Sequence, residues 1–155
     1  MHSFEIESAL AAAPEKVWEH VVTPSGINGE LMPLIRMTTP RPLRGITIDR
    51  LPLGQPLGRS WMLLFGFLPV EFDRMTIAEL DPGHRFLEQS TMLTQSRWSH
   101  ERVIARQGAG SQIVDRLSWQ GRFPVLSALF DVAVPMIFRH RHRRLRRRFG
   151  AARSS

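Results

Sequence analysis

Residues 4–10 alternate: Phe4, Ile6, Ser8 and Leu10 fall on one side and Glu5, Glu7 and Ala9 on the other, which predicts a half-buried strand. The period then lengthens. Val17, Trp18, Val21 and Val22 recur at helical spacing behind Pro14, suited to a first helical turn, and Glu15, favoured at the positive helix end. Thr23-Pro24-Ser25-Gly26 breaks this helix, and a second short helix is expected over residues 27–31. Pro33, Pro40, Pro42, Pro52 and Pro56, with Gly54 and Gly58, divide the next stretch into short strands and loops. Strands follow over residues 61–67, 72–80, 85–92, 97–106 and 111–119, with turns at Asp81-Pro82-Gly83-His84 and Gln107-Gly108-Ala109-Gly110. A long helix starts near Pro124. Its Val134, Phe138, His142, Leu145 and Phe149, spaced by four, four, three and four, form one stripe.

Runs of strands followed by a helix, without regular alternation, predict an α+β fold. A curved antiparallel sheet wrapped around the last helix would bury both apolar surfaces. The 155 residues contain neither a repeat nor a long linker, so residues 1–150 are expected to form one domain and residues 151–155 a disordered tail.

Ala12-Ala13-Pro14-Glu15-Lys16-Val17-Trp18 behind the first strand, the Asp81-Pro82-Gly83 turn and the long C-terminal helix carry a family resemblance. In this order they resemble the helix-grip fold of the SRPBCC superfamily, which includes START lipid-binding domains, birch-pollen-allergen-like proteins and polyketide cyclases. Trp98-Ser99-His100-Glu101-Arg102, Asp115-Arg116-Leu117 and the segment from Arg139 to Leu145 resemble a bacterial branch of it. The resemblance covers nearly the whole chain, and none of its carriers is catalytic. It implies a deep, mostly apolar cavity between sheet and C-terminal helix, and a hydrophobic small molecule or lipid as partner. Trp61, Phe65, Phe130, Val134 and Ile137 are the expected apolar wall. Binders, transporters and enzymes share the fold, which leaves the activity to the site.

Candidate chemistry lies on the last strands. If Gly108-Ala109 centres its hairpin, Arg102 stands opposite Asp115, His100 opposite Leu117 and Trp98 opposite Trp119. Trp98, His100, Arg102 and Ile104 share a face by alternation, and Glu88 reaches the same layer from the preceding strand. Such a face would give an apolar cavity one polar anchor, so Glu88, Trp98, His100, Arg102, Asp115 and Trp119 are candidate ligand-binding residues. His100 is a candidate acid or base, and Arg102 a candidate holder of a carboxylate or enolate oxygen, the pair that a cyclase- or dehydrase-like enzyme would use. The competing reading makes Arg102 and Asp115 a cross-strand ion pair on a solvated face and His100 an ordinary core histidine. Trp61, Met62, Leu64, Phe65, Phe67 and Leu68, in a run without charge from 61 to 70, read as core or as a membrane-touching edge.

Charge changes the picture less than its total suggests. Residues 139–148 hold seven Arg, and without them 14 basic residues match 14 acidic ones, so the net charge of +7 describes one helix end. A neutral body and the lack of interleaved aromatics speak against nucleic acid. Arg139, Arg143, Arg146 and Arg147 would suit an anionic membrane surface. A solvated end paired with Glu5, Glu7 or Glu15 is the alternative. The absence of cysteine excludes disulfides, thiolate metal sites and thiol nucleophiles. His140 and His142 point about 200° apart on a helix, and the other histidines lack ligand spacing, so neither metal nor cofactor is expected. Gly108-x-Gly110 reads as a hairpin turn. The start lacks a secretory signal pattern, and residues 123–138, with Asp131 and Pro135 inside, fall short of the ~20 apolar residues that span a bilayer. A cytoplasmic location is expected, with room for peripheral membrane contact.

Overall fold

The computed structural model describes residues 1–152, the side chain of Pro42 excepted. Strand β1 (His2–Leu10) leads into helices α1 (Pro14–Val21) and α2 (Pro24–Leu31). Pro14 and Pro24 each occupy a first helical turn, and the Thr23 hydroxyl caps α2 by accepting from the Gly26 amide at 3.0 Å. Thr23-Pro24-Ser25-Gly26, expected as a break only, therefore also starts α2 earlier than residue 27. A side chain at position 26 would collide with the His20 carbonyl, 1.7 Å from a Cβ built there, so the close α1–α2 corner requires glycine.

Seven more strands follow: β2 (Ile35–Met37), β3 (Arg59–Leu64), β4 (Leu68–Arg74), β5 (Ile77–Asp81), β6 (Arg85–Met92), β7 (Gln95–Gln107) and β8 (Gly110–Gly121). The sheet is antiparallel and runs β1-β8-β7-β6-β4-β3-β2, with β5 also pairing β6. The run expected over residues 72–80 is thus two strands. The Thr76 amide donates to Ser90 Oγ at 3.1 Å and its carbonyl accepts from Gln89, bending the chain so that β5 follows one end of β6 and β4 the other. Register shifts at Met62/Leu63, Ile77/Glu79 and Gln95/Arg97 add curvature.

The curved sheet grips helix α3 (Pro124–Phe149), which gives the helix-grip α+β fold expected from the element order. Gly150, at φ 78°, ends the helix. The stripe faces inward: Val134, Phe138, His142 and Leu145 are buried. Leu145 joins Leu10, Val17, Trp18, Val21, Ile104 and Ile113 in one core cluster, and Val134 and Phe138 join Met92, Trp98, Leu117 and Trp119 in another. The tail expected to be disordered over residues 151–155 begins ordered, since Ala151 bridges Leu10 and the Ala152 amide donates to Ala9 O at 3.2 Å. Residues 153–155 lie outside the described residues. Among the described residues, no helix is long and apolar enough to cross a membrane.

Candidate functional site

The β7–β8 hairpin has the register that its turn implies: Arg102 pairs with Asp115, His100 with Leu117 and Trp98 with Trp119, while Glu88 on β6 stands opposite His100. The face they share points inward. Asp115 is the hub of a buried network, accepting from Arg102 Nε and Nη2, both at 2.7 Å, and from the Nε2 atoms of His100 and His142, both at 2.8 Å. Two N–H donors on the imidazoles fix the tautomers, so each ring directs Nδ1 elsewhere. His142 Nδ1 accepts from the Ser8 hydroxyl at 2.8 Å, and Ser8 Oγ accepts from Arg146 Nη1 at 2.8 Å. On the far side of Arg102, Glu30 of α2 accepts from Arg102 Nη1 at 3.1 Å and from Arg141 Nε at 3.1 Å.

Burial alone would raise the Asp115 carboxyl, but the charge and hydrogen bonds of Arg102 and the hydrogen bond of His100 hold it well below the usual carboxylate range. Burial likewise opposes ionisation of Glu30, and Arg102 and Arg141 override it. Burial disfavours the Arg102 guanidinium, yet Asp115 and Glu30 raise its proton affinity above the ordinary arginine value. Two acids and two arginines thus close a neutral set.

In front of this network lies a cavity of about 630 Å³ between the sheet and the first half of α3. Of the expected residues, Phe65, Glu88, Trp98, His100, Phe130, Val134 and Ile137 line it. Trp98 meets the edge of Phe130 at 5.8 Å between centroids, and His100 sits between Phe86 and Phe138 at 5.4 and 5.1 Å. The remaining expectations are corrected. Trp61 falls outside the wall: alternation on β3 turns Ser60 and Met62 inward and leaves Trp61 39% exposed against Phe72. Trp119 packs behind Trp98 and Phe130, with Nε1 donating to Asp131 at 2.8 Å. Arg102 and Asp115 lie behind His100 with 0% exposure, on neither a solvated face nor the cavity wall. With its guanidinium held by Asp115 and Glu30, Arg102 is in no position to hold a substrate oxyanion. Of the expected catalytic pair, His100 alone reaches the cavity.

The polar lining of the cavity consists instead of Glu71, Asp73, Glu88, Thr94, His100 and Arg141. Glu71 and Asp73 alternate inward on β4, and Asp73 stands between Ser60 on β3 and Met92 on β6. A smaller cavity of about 140 Å³, lined by residues such as Ile27, Ile48 and Phe86, shares Met37, Glu88, His100 and Arg141 with the larger one, so these four form the partition. Among the described residues, no group of three or more metal-ligating side chains is placed to hold an ion. The mouth is rimmed by exposed apolar residues on the β3–β4 turn and α3, among them Phe65 at 61% and Leu129 at 64%, and Phe67, 73% exposed, follows on the same turn. The greasy run from residue 61 therefore faces inward at Met62 and Leu64 and ends on an exposed tip.

The basic helix end is less free than its composition suggests. Arg141 is buried on Glu30, Arg144 Nε donates to Gly29 O at 2.8 Å, and Arg146 donates to Ser8. Arg139 lies over the Phe4 ring and Arg148 over Phe149. The acids expected to pair with this end have other partners: Glu5 holds Arg116, Glu7 accepts from Gln112 and Glu15 holds Arg106. Glu30, which sequence patterning did not single out, takes their place.

A family model described as "Domain of unknown function (DUF8410)" matches residues 8–149. No curated protein matches the chain in sequence. Among solved structures, protein CV1439 from Chromobacterium violaceum is similar at 13% identity and a TM-score of 0.71, covering 98% of this chain and 100% of that one. A START superfamily protein from Mycobacterium smegmatis is similar at 11% identity and a TM-score of 0.69, covering 96% and 97%. CalU16 from Micromonospora echinospora is similar at 15% identity and a TM-score of 0.57, covering 92% and 75%. At such identities the likeness carries the fold, which is that of the SRPBCC superfamily.

Proposed function

The chain belongs to the family described as a domain of unknown function (DUF8410), and on that footing we propose that it binds an apolar small molecule or lipid between the sheet and α3. The observation that carries this reading is the cavity itself. Its volume of about 630 Å³ lies within the ~300–1,000 Å³ range of small-molecule sites, and Met62, Met92, Trp98, Phe130, Val134 and Ile137 give it an apolar wall with polar groups gathered at one end. A close-packed interior leaves few voids larger than a water molecule, so a space of this size calls for an occupant.

The test is a fluorescence titration with N-phenyl-1-naphthylamine, a neutral apolar probe. Wild type is expected to bind it saturably at one site. Val134→Trp, which fills the cavity from α3, is expected to weaken binding by at least about tenfold while the circular dichroism spectrum is retained, since overpacking costs about 1–3 kcal/mol. Equal binding by the filled variant would contradict the reading.

The exposed rim favours a second reading, contact of the mouth with a lipid surface. Phe65 holds φ at 55°, a left-handed conformation that is uncommon for a bulky side chain, and this turn presents Phe65 at the cavity entrance with the exposed Phe67 two residues on. Membrane contact then rests on the apolar rim, with Arg143 and Arg147 as exposed cations, and less on the whole arginine run. In sedimentation with phosphatidylcholine–phosphatidylglycerol vesicles, Phe65→Ser/Phe67→Ser/Leu129→Ser is expected to lose binding by roughly tenfold or more. Arg143→Gln/Arg147→Gln should have the smaller effect. Unchanged sedimentation of the rim variant would refute this contact.

A further inference from the structure

Three carboxyl groups face one apolar cavity, and their surroundings differ. Glu71 is satisfied as a carboxylate: it accepts from the Phe72 amide at 3.0 Å, from the Thr94 amide at 3.2 and 3.3 Å, and from the Thr94 hydroxyl. Glu88 accepts from Ser90 Oγ at 2.9 Å, and its other oxygen lies 3.9 Å from His100 Nδ1. Asp73 is 1% exposed, and its Oδ1 finds no hydrogen-bond partner among the described residues. Orphaned buried acceptors are rare and costly, because the desolvation of the group goes uncompensated.

The nearby cations do not remedy this. Arg141 is the one arginine on the cavity wall among the described residues, and Glu30 already holds it. Arg102 and Arg141 balance Asp115 and Glu30, so the carboxyls at the cavity end are left in excess. Burial first, then the charge and hydrogen bond of Glu88, push the Asp73 carboxyl up to about 11. The Asp73–Glu88 pair sits among the polar lining groups Glu71, Thr94, His100 and Arg141, and the rest of the wall is almost all Met, Trp, Phe and aliphatic side chains.

We propose that the cavity selects an apolar molecule bearing a protonated amine, whose ammonium group sits on the Asp73–Glu88 pair and gives Asp73 Oδ1 the donor it lacks. This rests on the cavity-binding reading above and names the chemical class that it favours. An ammonium group supplies both missing elements, a hydrogen-bond donor and a positive charge. An alcohol supplies only the donor, and a carboxylate adds a fourth acid to the cluster.

Competition against bound N-phenyl-1-naphthylamine separates these cases, with decylamine, decanol and decanoate as probes of equal chain length below their aggregation thresholds. Decylamine is expected to displace the fluorophore at roughly tenfold to hundredfold lower concentration than decanol, the range of a charge-assisted hydrogen bond to a buried group, with decanoate weakest. Asp73→Asn/Glu88→Gln, which leaves the pair without a carboxyl, is expected to remove the difference between amine and alcohol while decanol binding persists. Equal displacement by all three probes would overturn the amine preference and leave cavity binding intact. Tightest binding of decanoate would overturn it in favour of Arg141 as the anchor. Failure of the fluorophore and of every probe to bind would instead remove the underlying cavity reading.

Discussion

Asp115→Asn is expected to destabilise the chain by about 3–5 kcal/mol, the scale for breaking a buried ion pair from one side. The substitution barely changes volume. It removes the charge that receives both arms of Arg102 and two imidazole N–H groups, leaving a fully buried guanidinium that Glu30 must share with Arg141. An amide in the same place offers one acceptor oxygen where four donors converge. For a domain of this size the loss corresponds to roughly 6–20 °C in Tm. The sign of the pH dependence follows from the depressed carboxyls of Asp115 and Glu30. Their contribution is fully present above the unfolded carboxylate range, about 3.9–4.3, and is lost as pH falls through their lower folded values. Urea unfolding at pH 7 checks the magnitude. A loss below about 1 kcal/mol would mean that Asp115 is not the anchor of the network.

Asp73→Asn is expected to act in the opposite direction and raise stability at pH 7 by as much as about 4 kcal/mol. The folded chain holds a proton on Asp73 that the unfolded chain, with a carboxyl near 3.9, has released at that pH. A group whose folded pKa is raised stabilises fully below its unfolded value, and that contribution declines as pH rises toward the folded value of about 11. In this window the wild type should lose up to about 1.4 kcal/mol per pH unit from Asp73 alone, a slope that Asn removes. Together with the acid-side loss from Asp115 and Glu30, this places the wild-type maximum at mildly acidic pH. Urea unfolding of both proteins across pH 5–9 measures the slope. A variant less stable than wild type, with the slope unchanged, would show that Asp73 is ionised and compensated in the folded chain. Stability sacrificed at one buried residue is a recurrent property of binding sites.

These two aspartates also mark how far the chain can be read without its structure. The β7–β8 register follows from a glycine turn and strict alternation, both local signals, so the pairing of Arg102 with Asp115 is legible, as is the inward stripe of α3 that carries His142. The network's other half is not. Glu30 reaches Arg102 across 72 positions in sequence because α2 packs beside α3, a tertiary fact without a periodic trace. Arg141, Arg144 and Arg148 recur along one flank of the inward stripe, but in a run of like charge that spacing looks the same as a solvated face. The charge count reads as a free basic end, whereas Arg141, Arg144 and Arg146 reach back onto α2 and β1.

Glu71 and Asp73 were hidden for a different reason. Alternation over residues 68–74 would serve equally well with Val70 and Phe72 turned inward. The register shift at Met62/Leu63 and the division of β6 between β4 and β5 decide the face, and neither is a local property of those seven residues. The same cause explains Trp61, whose place on β3 depends on which neighbours Ser60 and Met62 meet. The resemblance implies the cavity's location and the wall residues Phe130 and Ile137 on α3, whereas the helical stripe itself carries only Val134 of that wall. The carboxyls that give the cavity its chemical character were legible in neither.

Methyl-resolved NMR with bound N-phenyl-1-naphthylamine tests most directly whether an apolar molecule lodges under α3. Nuclear Overhauser contacts are expected from the probe to the methyl groups of Met92, Val134 and Ile137 on the cavity wall. Contacts confined to the exposed residues Val125 and Val132, with Met92 and Val134 silent, would contradict it.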